Sequence, residues 1–293
     1  MKVIIAYDGS THADAAIDDL PRTGLPPDSE VEIVWVADLS TNAPAVSEFD
    51  LISAASNRMN AALARVTNYE AQVVKETRSM TSKVVRRLRR QFPEWNIHSK
   101  VLRGKPADEL LRRVDEWNAD LIMGGSQGRS AIGRFLLGSV SKRVAEEAAC
   151  SVRIVRGGSG RTETEPIEII IGATNPADAA KVLEAVGRRT WPANTRILLL
   201  VVDDGVTANR VSAVYPHARS IYEQAVEDLA PAGLQVSVQI ESGDPKSILL
   251  KAAETWRADA IFVAAGKTND PGGLDEAALA LVTGARCTVE IVR

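Results

Sequence analysis

Cysteine is nearly absent from the sequence: only Cys150 and Cys287 occur, too few for a disulfide framework and consistent with a reducing compartment. Neither sign of charge predominates. The 35 basic and 38 acidic residues leave a formal net charge of -3, which predicts no general attraction to nucleic acid or to an anionic membrane. No apolar run approaches the ~20 residues that a membrane span needs. The opening MKVIIAYDGS has one lysine and a short apolar run that meets Asp8, too brief for a secretory signal, and reads as a first strand. No His/Cys/Asp cluster has metal-ligand spacing, so no metal site is expected. A Gly-x4-Gly-Lys-[Ser/Thr] Walker loop and a Gly-x-Gly-x-x-Gly dinucleotide turn are also missing. What remains, 45% hydrophobic and 25% charged over 293 residues, has the composition of a soluble, cytoplasmic globular protein. It is long enough for two domains of about 150 residues.

The sequence is written twice. GKPADELLRRVDEWNADLIMGG, from Gly104, has a partner in GDPKSILLKAAETWRADAIFVAAG, from Gly243, with Trp117 and Asp120 matched by Trp256 and Asp259. CSVRIVR at Cys150 matches CTVEIVR at Cys287, and VIIAYDGSTHADAA at Val3 matches IIIGATNPADAA at Ile169 more loosely. The matched tryptophans lie 139 residues apart, a period far above the ~20–50 residues of solenoid units, so a whole domain is duplicated. GGSGRTETEP, residues 157–166, replaces apolar periodicity with Gly, Ser and charge and reads as a linker between domains 1–156 and 167–293.

Within the first half, KVIIAY, EVEIVWVAD, NIHSKVLRG, ADLIMGG and SVRIVR read as five strands. Between them lie helical patterns: one opened by a Thr11/Asp14 capping box, one from Leu51 to Gln91, one with Pro106 in its first turn, and one starting near Ser139. The long pattern aligns Val74, Thr77, Thr81, Val84 and Leu88 on one face. The run from Lys83 to Arg90 is then the solvated side of that helix rather than a nucleic-acid patch. Strict alternation of strand and helix predicts an α/β fold of two tandem Rossmann-like domains. Each has a five-stranded parallel sheet with helices on both faces. Ligands of such sheets bind beyond the carboxyl ends of the strands, where the strand order reverses. Asp8, Val36 and Gly125 occupy such ends.

The stretch Leu121–Arg156 is the most informative. Gly125, Gly128, Gly138 and Ser139 form a Gly-x2-Gly-x9-Gly-Ser series leading from a strand to a helix start. Glycines at a strand end let backbone approach a ligand, and a helix opening at Gly-Ser directs free N–H groups outward, which suits phosphate. Gly128 would add its N–H to a concavity of successive amides. Gly138, Ser139, Val140 and Ser141 open the helix with amides and two hydroxyls that either cap it or hold phosphate oxygens. Gln127 reaches ribose or phosphate, or faces solvent. Arg129 forks onto phosphate oxygens or, like Arg134, is solvated.

Together with the first strand VIIAYDGS, this series resembles the nucleotide-binding members of the universal stress protein family, and the resemblance covers both halves outside the linker. It implies an ATP site. Asp8 and the Ala6 backbone would meet the nucleoside, Val36 would flank the adenine, and Gly125 would pass close to the ribose. Without the resemblance, Asp8-Gly9 also reads as an ordinary turn. Any Mg would be held chiefly by the triphosphate, because Mg²⁺ favours phosphate and water. In this family the last strand commonly makes the dimer contact. The tandem chain would satisfy it by pairing its own halves, leaving open a further homodimer.

The second half departs from the pattern. Gly125 falls on Ala264, Gly138 and Ser139 on Asp275 and Glu276, and Asp8 on Thr174. Two carboxylates at a helix start suit its dipole and repel a triphosphate, so only the first half is expected to bind ATP. The two cysteines occupy equivalent positions and read as small core residues rather than a redox pair; His12, His98 and His217 share no motif. No base or nucleophile stands beside the glycine series, so the reading is an ATP-binding stress-response protein without catalytic residues. A slow ATPase or a nucleotide-dependent enzyme of related fold is the alternative.

Overall fold

The computed structural model describes residues 1–38, 56–126, 137–156, 165–203, 223, 229, 234–266 and 274–293. Side chains of residues 56–66, 70 and 176 are outside that description. The first half contains β1 (Lys2–Ala6), α1 (Thr11–Asp18), β2 (Glu30–Ala37), α2 (Ser56–Gln91), β3 (Asn96–Arg103), α3 (Pro106–Trp117), β4 (Leu121–Gly125), α4 (Ser139–Glu147) and β5 (Ser151–Val155). The second contains β6 (Glu168–Ala173), α5 (Pro176–Gly187), β7 (Arg196–Asp203), β8 (Gln235–Ser242), α6 (Pro245–Thr255), β9 (Ala260–Ala264), α7 (Glu276–Gly284) and β10 (Thr288–Val292).

All ten strands join one sheet in the order β3-β2-β1-β4-β5-β10-β9-β6-β7-β8. Each half is parallel, and the halves meet through the antiparallel pair β5·β10. Parallel strands are buried on both faces and therefore read as continuous apolar runs; β6, EIIIGA, is buried along its whole length. One face of the sheet carries a single apolar cluster that crosses the junction, from Ile4 and Ile122 through Val152 and Val289 to Ile261 and Ile170. The opposite face carries two clusters, one for each half. Burial of each such side chain is worth roughly 1.5–3 kcal/mol.

Local signals place the helices. Pro106 begins α3, whose C-cap Asn118 is left-handed. The cap of α1 lies one residue earlier than the sequence pattern indicated. Ser10, not Thr11, accepts from the Ala13 N–H at 3.2 Å, and Asp14 accepts instead from the Tyr7 hydroxyl at 2.8 Å. On α2, Thr77, Thr81 and Leu88 are buried with Val85. Arg86, Arg87, Arg89 and Arg90 are exposed, the solvated side that the periodicity predicts. Arg87 pairs there with Asp18 at 2.5 Å. The first residues of the long pattern, 51–55, lie outside the described residues.

Candidate functional site

The strand order reverses between β1 and β4: β2 and β3 follow on one side, β5 on the other. Ala6 and Gly124 are register partners at this point. A cavity of about 190 Å³ opens at the strand ends. It is lined by Ala6, Asp8, Val36, Gly125, Val140 and Ser141 among the predicted residues. Its walls also include Tyr7, Ser10, Pro106 and Leu110, which the sequence reading missed. Tyr7 precedes Asp8 and Ser10 follows it by two residues, just after β1, so their nearness to a strand end was the available signal. Pro106 and Leu110 come from α3, whose approach to the strand ends is a matter of tertiary packing that no local pattern records.

Asp8 is exposed at the mouth, and its Oδ1 accepts from the Ser10 N–H at 2.9 Å. It therefore makes the turn that Asp-Gly sequences favour, using one carboxylate oxygen. The Tyr7 hydroxyl donates to Asp14, and burial together with that carboxylate pushes its pKa up to about 12. It stays protonated at neutral pH.

Gly125 is required by the protein itself. A Cβ at this position would lie 2.0 Å from the His12 carbonyl oxygen, so the start of α1 packs directly on the end of β4. Gly138 has the opposite surroundings: among the described residues an added Cβ would meet nothing within 4 Å. Gly138 is the N-cap of α4 with extended geometry, and among the described residues no side chain caps the helix. Its carbonyl accepts from the Lys142 N–H at 2.9 Å. Ser139 is exposed. The Ser141 hydroxyl donates to the Gly125 carbonyl at 3.3 Å, which ties α4 to β4 and commits that proton. Gln127, Gly128, Arg129 and Arg134 lie outside the described residues.

The second half answers the same positions differently. Asp275 is the N-cap of α7 and accepts from the Ala278 N–H at 2.7 Å. Its Oδ2 would come within 2.3 Å of a Cβ on Gly266, whose φ is +80°. The carboxylate therefore rests against that loop's backbone, where only glycine leaves room. Burial raises the Asp275 pKa, the Ala278 N–H bond opposes this, and the Asp178 carboxylate adds to the rise. Leu249 packs so closely on Gly172 that an added Cβ would meet it at 2.7 Å. Cys150 and Cys287 are both free, and burial pushes each thiol up to about 12. That state is unreactive at neutral pH.

Among the described residues no helix is long and apolar enough to cross a membrane, and no group of three or more His, Cys, Asp or Glu could hold a metal ion. The sequence profile described as "Universal stress protein family" matches residues 1–156. A universal stress protein of Methanocaldococcus jannaschii is 30% identical over 159 residues, covering 53% of this chain and 81% of that protein. Among solved structures, a universal stress protein from Archaeoglobus fulgidus superposes with a TM-score of 0.66 at 17% identity, over 100% of this chain and 98% of that one. A putative universal stress protein from Pseudomonas aeruginosa gives 0.57 at 10% identity, over 99% and 92%.

Proposed function

The chain belongs to the universal stress protein family, and from that premise we propose that its first half binds ATP while its second half does not. The observation that carries this reading is the contrast between two equivalent helix starts. Helix α4 opens at Gly138 with no side-chain cap and nothing close beside it among the described residues, and Val140 and Ser141 of its first turn line the cavity. Helix α7 opens at Asp275, whose own carboxylate occupies the N-terminus. Uncapped N–H groups and the positive end of the helix dipole favour a phosphate; a resident carboxylate already satisfies them and repels one.

The remaining walls fit a nucleotide in the same orientation. Val36, Leu110 and Val140 offer apolar surface to a base, and Asp8 offers an acceptor to sugar hydroxyls at the mouth. Ser139 and the α4 amides face the phosphate end, and Gln127, Gly128 and Arg129 would complete it. Mg²⁺ would be carried by the triphosphate. In this reading, residues 1–156 form the nucleotide unit and 157–166 the linker. Residues 167–293 form the scaffold or regulator of a cytoplasmic protein that senses or buffers ATP under stress.

Titration of ATP into the full chain tests the reading, with Gly138→Asp/Ser139→Glu as the comparison. The double substitution copies a helix start that the fold already accepts at α7. The expected result is saturable binding of one ATP by the wild type, lost in the variant with unfolding midpoint retained. Undiminished affinity in the variant would remove the basis of the proposal. Mass spectrometry of the chain purified without added nucleotide gives an independent reading: co-purified ATP is expected.

A further inference from the structure

The seam between the halves is not symmetric in chemistry, although it is symmetric in geometry. In the β5·β10 pair, Val289 faces Ile154, Glu290 faces Arg153 and Ile291 faces Val152. Counted back from the shared CSVRIVR and CTVEIVR ends, Arg153 and Glu290 are equivalent residues. Each thus lies on the pseudo-twofold axis, directly opposite its own counterpart. In a pairing of like halves the same register would set Arg153 against Arg153, or Glu290 against Glu290.

Both side chains are fully buried, 1% and 0% exposed. Arg153 Nη1 meets Glu290 Oε2 at 2.9 Å, and Arg153 Nε meets Asp19 Oδ2 at 2.8 Å. Arg189 binds both oxygens of Glu290, and its Nη1 also donates to the Thr23 carbonyl of the first half at 2.8 Å. The charges alternate: Asp19, Arg153, Glu290, Arg189. Each half carries one acid and one base, so a like pairing would also be neutral in sum. It would nonetheless replace the central attraction with two like charges facing each other in a dry interior, where paired charges are tolerated and opposed ones are not.

One steric contact and one ring contact have the same sense. Trp191 of the second half lies on Gly24 of the first, so closely that a Cβ on Gly24 would meet its ring at 2.7 Å. The Thr190 N–H donates to the Gly24 carbonyl at 2.8 Å. Counted back from the starts of β2 and β7, Thr190 is the counterpart of Gly24, so two second halves would press Trp191 onto a threonine. Both guanidiniums, Arg153 at 5.8 Å and Arg189 at 5.2 Å, also lie over the Phe262 ring. The first half has Met123 at the equivalent position of β4 and offers no ring.

We propose that this seam is a key for unlike halves: the β5 edge accepts a strand bearing an acid at the axis and rejects a copy of itself. One chain then closes its own sheet, and two chains do not join through matching halves.

The test uses the full chain. Arg153→Glu recreates the acid–acid contact of two second halves, Glu290→Arg the base–base contact of two first halves, and Arg153→Met removes the charge alone. Hydrogen exchange of β5 and β10 is followed with β2 and β7 as reporters of the halves themselves. Both reversals are expected to accelerate exchange at the seam by about tenfold or more beyond the effect of Arg153→Met. Equal exchange in Arg153→Met and Arg153→Glu would overturn the charge key. Should the reversals unfold the halves as well, the steric key decides. Gly24→Thr is made in the wild type and on a Trp191→Leu background, so that backbone strain cancels. A smaller loss of midpoint on the second background is expected; an equal loss in both would overturn the proposal.

Discussion

A methyl group added to Gly125 would lie 2.0 Å from the His12 carbonyl, whereas one added to Gly138 would meet nothing within 4 Å among the described residues. Gly125→Ala must therefore push α1 away from β4, with an expected loss of about 1–3 kcal/mol in urea denaturation. Gly138→Ala should change stability by no more than about 1 kcal/mol, since it alters only a helix N-cap, yet it should weaken ATP binding by crowding the phosphate end. A Gly138→Ala protein that binds ATP like the wild type would show that this backbone does not approach the ligand. Asp275 yields a second prediction. Burial raises its folded pKa, so the folded state holds a proton that the unfolded chain has already lost, and stability falls as pH rises through that window. Asp275→Asn keeps an acceptor for the Ala278 N–H and removes the half-buried charge. Its urea midpoint should exceed that of the wild type near neutral pH, the difference closing in acid below the ordinary aspartate range. Asp275→Ala, which loses the cap, should cost about 1 kcal/mol instead.

At the scale of elements, inner strands such as β1 and β4 are legible because burial on two faces writes itself as apolar runs; the edge strands β3 and β8 mix buried or half-buried with exposed residues and carry no such run. Helix α2 was legible because Thr77, Thr81 and Leu88 keep helical spacing. Caps were less so. Ser10 and Thr11 are both good N-cap residues, and the choice fell to Ser10 because Asp14 was drawn to Tyr7, a contact set by the turn after β1. The candidate site divides in the same way. Asp8, Val36, Gly125, Val140 and Ser141 were found from strand ends and a helix start, which are local facts. Pro106 and Leu110 were not, because α3 reaches the cavity only through packing. The packing requirement at Gly125 was not legible from sequence: a glycine required by a neighbouring helix and a glycine kept for a ligand look identical in one dimension, and the contact with His12 appears only in the fold. Helices α4 and α7 are half legible: the exchange of Gly138 for Asp275 marks the carboxylate at the α7 start in the sequence, whereas the sequence leaves open whether the hydroxyls of Ser139 and Ser141 cap α4, and the structure shows no side-chain cap there among the described residues.

At the scale of the whole molecule, the halves share more than a boundary. One apolar cluster runs through both across the β5·β10 junction. The buried Asp19–Arg153–Glu290–Arg189 chain crosses the same line. Exposing either half would uncover apolar surface on the other and strand a buried charge, so separate unfolding is disfavoured. The chain is therefore expected to melt in a single calorimetric transition, with calorimetric and van't Hoff enthalpies in agreement. A ligand of the first half would then stabilise the second, although it touches none of its residues. ATP at a hundred times its dissociation constant should add about 2.7 kcal/mol to the folded state. That increment should appear in the exchange protection of β6 and β7 as fully as in β1 and β2. Two resolved transitions, with only the first moved by ATP, would mean that the sheet is continuous in geometry but not in energy, and that the second half reports nothing of what the first has bound.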